Sequence, residues 1–182
     1  VQDLIYSAGV YYTTSKDDIL FQTTGRSTGL FANVDKTRRQ GFESSLRGKW
    51  QNLTWMASYS FVDATFEDDF KALSPNHDFA DDDGDILISR GDSIPGIPRN
   101  QLKAVADYMF DNGLNIGLDL VSNSGQRLRG DESNQLAQID GYSVVSFRAR
   151  YQIAENFEVF ARVNNLFDEE FETFGILGEE PG

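Results

Sequence analysis

The feature that most constrains this chain is the alternation of apolar and polar residues between positions 141 and 168. One apolar set has period two and is interrupted only by a short turn at 154–156: Val145, Phe147, Ala149, Tyr151, Ile153, Phe157, Val159, Ala161 and Val163. The intervening positions carry the charges, among them Arg148, Arg150, Glu158 and Arg162. Side chains alternate between the two faces of a strand, so this spacing predicts a hairpin with one apolar face. That face meets either a soluble core or lipid.

The same period recurs in five further segments, at residues 4–14, 39–50, 53–62, 101–110 and 114–123. Short turns at 51–52, 111–113 and 154–156 alternate with long polar connections at residues 15–38, 67–99 and 124–140. This order predicts an all-β fold, an antiparallel up-and-down meander of about seven strands with all its tight turns at one end.

Charge and aromatic placement decide between lipid and a soluble core. Every charge inside these strands lies opposite the apolar set, although a soluble sheet with one buried face keeps charge off that face as well. Aromatic residues of the apolar set lie near both strand ends: Trp50, Trp55, Phe110, Tyr151 and Phe157 near the short turns, and Tyr12 and Phe61 near the long connections. Aromatic girdles at both water interfaces are typical of an outer-membrane barrel, which favours a large transmembrane β-barrel over a soluble β-sandwich.

The odd number of strands indicates an incomplete sheet. Seven antiparallel strands whose first and last run in the same direction cannot close on each other, and unpaired strand edges are not tolerated in hydrocarbon. We therefore expect residues 1–182 to form part of a larger barrel domain that needs further strands, including a final one.

Composition excludes several classes of function. The net charge of −13 argues against a nucleic-acid partner, which requires a basic surface, and there is no cysteine for a thiolate site. The sequence contains no run of about 18 apolar residues, so it predicts no transmembrane helix. Paired carboxylates occur in loops where nothing is expected to desolvate them, so an enzyme is not expected.

Three segments carry a resemblance to a known family. Residues 33–43, residues 94–103 and above all residues 163–171 with Gly175 resemble the C-terminal part of the β-barrel of a TonB-dependent outer-membrane receptor. The resemblance implies a barrel of about 22 strands around a plug. It also implies location in the outer membrane of a Gram-negative bacterium and TonB-energised uptake of a scarce ligand such as an iron-siderophore complex.

The implied partners are the rest of the same barrel and its plug, outer-membrane lipid, and the TonB complex acting through N-terminal parts of the receptor. Residues 1–182 contain no plug, no energy-coupling motif and no final strand of the family pattern. Two alternatives stay open: a passive porin-type channel, and a soluble β-sandwich that binds or adheres.

Basic side chains on the polar face are the candidate ligand-binding residues: Arg47, Lys103, Arg148, Arg150 and Arg162. In a barrel this face lines the lumen, where the charges would attract an anionic ligand. The alternative is that they form salt bridges with the plug or with acidic residues of neighbouring strands: Glu43, Asp107, Asp119 and Glu158.

The connection at 67–99 is the candidate metal site, because Asp78, Asp81, Asp83 and Asp85 offer hard oxygen ligands to Ca²⁺. The spacing of an EF-hand fails, since Phe79 and Arg90 occupy positions of the first and last ligands. The alternative is a solvated acidic loop, and no other cofactor is expected. His77, the one histidine, is expected to be solvent-exposed, with no Ser/His/Asp arrangement around it.

Overall fold

A computed structural model describes residues 3–24 and 28–178. Within them, the strands are β1 (Asp3–Thr24), β2 (Thr28–Trp50), β3 (Leu53–Phe66), β4 (Phe70–Leu73), β5 (Asp85–Ile88), β6 (Asn100–Met109), β7 (Leu114–Asn123), β8 (Tyr142–Ala154) and β9 (Phe157–Val163). Seven of them form one antiparallel sheet in the order β1-β2-β3-β6-β7-β8-β9, and β4 pairs with β5 in a separate hairpin. The predicted seven-stranded up-and-down meander is confirmed.

The three short turns lie at one end of the sheet, as predicted. Gln51 has a φ of 51° in the β2–β3 turn, and Gly113 has a φ of 85° in the β6–β7 turn. The backbone N–H of Leu114 donates to Asn112 Oδ1 at 3.1 Å, which stabilises that turn. Asparagine and glycine tolerate positive φ with little steric cost, so the local sequence specifies this reversal of the chain.

The strand register confirms the assignment of faces. Val10 pairs with Phe42, and Leu118 pairs with both Ala106 and Phe147. Directly opposed residues of an antiparallel pair project to the same side, so the apolar sets of all seven strands share one face. Val10 is 87% exposed and Tyr6 76% exposed on this face, and the described residues provide no second sheet to cover it.

The first two strands are longer than predicted. Residues 15–38 were expected to form a polar connection, which is wrong: β1 continues to Thr24 and β2 begins at Thr28. Beyond Asp17, which has a φ of 53°, Leu20 and Val34 pack into a core while Phe31 is 74% exposed. Backbone hydrogen bonds between two strands form whatever the side chains are, so polar composition did not end these strands.

The core of the described residues lies at the end of the sheet with the long connections. It consists of Val34, Ala64, Phe66, Ala72, Ile86, Ile88 and Ile94, which come from β2, β3, the β4–β5 hairpin and the segment after it. Phe66 and Phe70 meet edge to face with ring centroids 5.3 Å apart. Residues 67–99 are therefore more than a solvated acidic loop: Asp81, Asp82 and Asp83 are exposed, but the apolar residues of the same connection form a packed hairpin.

The segment after β9 folds back along the β7–β8 connection, residues 124–141. Tyr142 stacks on Phe171 at 4.5 Å, and the backbone N–H of Arg129 donates to the Gly175 carbonyl at 3.0 Å. A Cβ at Gly175 would meet the side-chain ends of Leu128 and, at 2.7 Å, Ile139 Cδ1, so a larger residue here would displace both side chains.

The described residues include no helix of the length and hydropathy needed to cross a bilayer.

Candidate functional site

Arg148 lies at the centre of the polar face and is fully paired. Its Nη2 is 3.0 Å from Asp107 Oδ2, and its Nε is 2.8 Å from Asp119 Oδ2, so one guanidinium joins β6, β7 and β8. A Cβ at Gly117 would lie 2.7 Å from Asp107 Oδ1 and 3.0 Å from Arg148 Cζ, so glycine leaves room for this triad. The geometry agrees with the salt-bridge interpretation of Arg148.

Arg150 and Arg162 are paired less completely. Arg150 Nε is 3.5 Å from Glu158 Oε1, and the side chains are 66% and 38% exposed, respectively. Arg162 Nε donates to the neutral amide oxygen of Asn164 at 2.7 Å. Arg162 therefore keeps a positive charge that no described carboxylate balances.

Arg47 and Lys103 are both exposed on the polar face, and neither forms an ion pair with any residue that the structure describes. Lys103 borders a recess of about 490 Å³ in the sheet surface. The recess exists because small side chains line it: Ser7, Gly9, Ser45, Ser58 and Ser60, with Glu43 the one carboxylate among the lining residues. Of the five predicted residues, Arg47 and Lys103 are the most available to an anionic ligand.

His77 is buried, so the prediction of an exposed histidine is wrong. Its side chain is 0% exposed, and Nε2 lies 3.0 Å from Asp131 Oδ1. Nδ1 accepts the backbone N–H of Phe79 at 3.1 Å, so the neutral ring carries its proton on Nε2 and donates it to Asp131. The partner, Asp131, is 54 positions away in the sequence, and local pattern gave no signal of this contact.

Ser133 completes a serine–histidine–aspartate group that was not expected from the sequence. Ser133 Oγ lies 3.3 Å from His77 Nε2, the same nitrogen that contacts Asp131. A hydrolytic triad needs the serine on one ring nitrogen and the carboxylate on the other, with the serine open to substrate. Here one nitrogen serves both and all three residues are buried, so the group holds structure together.

Glu132 is a buried carboxyl beside this group. Burial raises the pKa of Glu132, and the backbone N–H of Gly130, which donates to Oε1 at 3.1 Å, opposes that rise. The expectation that nothing desolvates the loop carboxylates is wrong here, because the two long connections cover each other.

The acidic residues of the β4–β5 hairpin organise its turn. Asp81 Oδ2 is 2.6 Å from Lys71 Nζ, and Asp81 Oδ1 accepts the backbone N–H of Asp83 at 3.1 Å and of Asp85 at 2.9 Å. The bond from Lys71 is the main cause of the lowered pKa of Asp81. Among described residues no three histidine, aspartate or glutamate side chains converge as a metal site. Calcium at Asp81, Asp83 and Asp85 stays a prediction.

These features define a class of protein. A single antiparallel sheet has an exposed apolar face with aromatic residues near both ends, and an opposite face carrying the charges. Its tight turns lie at one end and its long connections at the other. Such a sheet is one wall of a transmembrane β-barrel, with the tight turns on the periplasmic side.

Comparison with known proteins identifies the family. The family model described as TonB dependent receptor-like, beta-barrel, matches residues 2–166, and the chain belongs to this family. It is therefore an outer-membrane protein of a Gram-negative bacterium, and not an enzyme. The alternative of a soluble β-sandwich is wrong.

Two sequence relatives are receptors by name. The chain is 27% identical over 147 residues to the metal-pseudopaline receptor CntO of Pseudomonas aeruginosa, covering 79% of this chain and 18% of CntO. It is 25% identical over 164 residues to the probable TonB-dependent siderophore receptor PiuA of Acinetobacter baumannii, covering 85% of this chain and 21% of PiuA. The chain thus spans about a fifth of the length of these relatives.

Solved structures show the same fold. The siderophore receptor PiuA from Acinetobacter baumannii superposes with a TM-score of 0.73 at 20% identity, over 96% of this chain and 23% of that one. The copper transporter OprC superposes with a TM-score of 0.65 at 20% identity, over 94% of this chain and 24% of that one.

Proposed function

We propose that this chain is a barrel segment of a receptor that takes up an anionic metal chelate of the iron-siderophore type, energised through TonB. Two sequence relatives are receptors for metal-pseudopaline and, with a probable assignment, for a siderophore. The family is one of outer-membrane ligand uptake. Iron as the metal and TonB as the energy source are inferred from this kinship.

The observation that supports an anionic ligand is the set of basic side chains on the lumen face that have no carboxylate partner. Arg47, Lys103 and Arg162 face the lumen without a described carboxylate partner, whereas Arg148 is held by two. Chelates with deprotonated oxygen ligands carry negative charge, and such a face raises their local concentration within the pore.

The proposed partners are further strands of the same barrel, its plug and the TonB complex. Each of the two outermost strands of the sheet, β1 and β9, pairs with one neighbour in the described residues. Lipid cannot satisfy the free backbone groups of such edges, so a bilayer requires more strands to close the wall. The short span of this chain within its relatives supports the same proposal.

The test is binding and uptake of iron-loaded siderophores labelled with radioactive iron. Replacing both lumen cations, Arg47→Gln with Lys103→Gln, is expected to weaken binding about three- to tenfold, since exposed charges contribute a modest attraction each. The loss should shrink as salt is added. Lys103→Gln alone and Lys71→Gln each remove one positive charge, the second from the β4–β5 hairpin and not from the seven-stranded sheet. Lys71→Gln should leave binding unchanged, and equal losses in these two single variants would refute a lumen site.

A passive channel is the second candidate, and the energy source separates it from the receptor. Uptake that stops in cells without TonB supports the receptor. Uptake that continues at the same rate in those cells identifies a passive channel instead.

A further inference from the structure

The two longest connections at the outer end of the sheet are joined by a set of direct hydrogen bonds. They are the β3–β6 connection, residues 67–99, and the β7–β8 connection, residues 124–141. Ser74 Oγ donates to the Gly130 carbonyl at 2.7 Å, and His77 Nε2 meets Asp131 Oδ1 at 3.0 Å. The Gly96 N–H donates to the Arg127 carbonyl at 3.0 Å.

Asn134 adds two hydrogen bonds between the connections. Its Oδ1 accepts the backbone N–H of Ser93 at 2.8 Å, and its Nδ2 donates to the Ser93 carbonyl at 2.9 Å. Asn134 has a φ of 60°, a conformation that asparagine tolerates better than most residues. One side chain therefore pairs with both backbone groups of a residue 41 positions away.

His77 and Asp131, which form the central pair of this set, each also hydrogen-bond within their own connection. Asp131 Oδ1 accepts the N–H groups of Gln135 at 2.8 Å and Leu136 at 3.2 Å, while His77 Nδ1 accepts the N–H of Phe79 at 3.1 Å. Both side chains are completely buried. Separating the two connections would leave the buried Asp131 carboxylate without its histidine, with Arg127 of the same connection at 3.6 Å as its remaining cation, and this cost disfavours opening either connection alone.

Both connections also rest on fixed supports. The first contains the β4–β5 hairpin, whose Ile86 and Ile88 are buried in the core with Phe66. The second is bonded to the segment after β9 through Gln126, whose Nε2 donates to the Thr173 carbonyl at 2.8 Å, and through Arg129. Surface loops that move independently lack such packing and have few buried contacts.

We propose that the β3–β6 and β7–β8 connections form one latched element at the outer mouth of the barrel, closed by His77–Asp131 and Asn134–Ser93. The element opens as a whole or not at all. A ligand passing this side of the mouth meets a rigid surface and not two separate flaps. This inference depends on the fold alone, so it holds or fails independently of the ligand and energy source proposed above.

Amide hydrogen exchange on the receptor that carries this chain, in detergent micelles, tests the latch. His77→Leu, in the first connection, is expected to speed exchange roughly ten- to hundredfold in both connections, the size expected for an unmatched buried polar group. Asn134→Ala, in the second connection, should again speed both. The matched control is Lys71→Met, which breaks an exposed ion pair inside the first connection and should affect the turn at 81–85 alone.

The outcomes separate cleanly. Faster exchange confined to the mutated connection, or unchanged exchange in both, overturns the latch. Heat-modifiable gel migration shows whether the barrel has formed in each variant. If His77→Leu does not assemble, Asn134→Ala carries the same test, because it keeps the central pair intact.

Discussion

At the scale of single residues, several polar side chains that the composition of their segments places at the surface are buried in the structure. His77, Asp131 and Glu132 lie in segments rich in Asp, Asn and Gly, yet all three are buried where the two long connections meet. The local pattern around them is that of a solvated loop. Their roles depend on contacts between residues more than 50 positions apart, which no period or spacing encodes.

Glu132 gives a pH-dependent prediction at this scale. Its folded pKa is raised by burial, so the folded state binds the proton more tightly, and stability is lost as pH rises through the folded pKa. Glu132→Gln keeps an oxygen acceptor for the Gly130 N–H and removes the charge. We expect it to slow amide exchange at residues 130–136 at neutral pH, with the difference vanishing below about pH 4, near the unfolded value.

Glu170→Gln serves as the control for this experiment, because Glu170 is exposed and the same charge is removed. Exchange that is faster in Glu132→Gln than in the parent at neutral pH would show that the charged form is preferred at this position.

At the scale of elements, the period-two pattern defines each strand and its faces, and the register then aligns them across the sheet. A slip of one residue would place charges such as Asp119 and Arg148 on the apolar face. The observed register keeps Asp119 and Arg148 on the polar face. The exceptions lie near strand ends, where Asp63 shares the side of Phe61 at the outer end of β3 and the β8–β9 register shifts between Gln152 and Ala154. The short turns keep neighbouring strands from slipping because each allows only one or two backbone conformations.

The face assignment predicts a difference between two substitutions in β7. Leu118 is 46% exposed on the apolar face near mid-strand, and Leu118→Arg is expected to cost about 2–4 kcal/mol of unfolding free energy in a bilayer. Val121→Arg introduces the same residue on the same strand but on the polar face, where Val121 pairs with Lys103, and should cost far less. Urea unfolding in lipid vesicles measures both, and equal costs would contradict the assignment.

At the scale of the whole molecule, the sheet is one layer thick over most of its area, and its only extensive core in the described residues lies at the outer end. An apolar face of this size is unstable against water, and strand edges promote association. We therefore expect the sheet to be stabilised by lipid on one side and by the further barrel strands proposed above at its edges.

This architecture predicts the behaviour of the isolated chain. Without detergent, residues 1–182 are expected to aggregate, as measured by size-exclusion chromatography with light scattering. A monodisperse monomer that unfolds cooperatively in buffer would contradict a lipid-facing sheet.

The sequence alone determined the strands, their faces, their short turns and the meander order, because these depend on period two and on turn residues such as Asn112-Gly113. It also carried the family resemblance at residues 163–171. The sequence pattern predicted β1 and β2 to be shorter than they are. The hairpin beyond Asp17 is held by backbone pairing, which polar side chains permit but do not signal in the sequence.

Only the tertiary structure decided what the long connections do. Residues of the β4–β5 hairpin form a core with Val34 and Phe66. His77 in the first long connection forms a hydrogen bond with Asp131 in the second. The tertiary structure also showed that Arg148 is paired with Asp107 and Asp119, whereas Lys103 forms no ion pair with the described residues. Pairing and burial between distant segments depend on where the folded chain brings side chains together, and a linear pattern does not specify that.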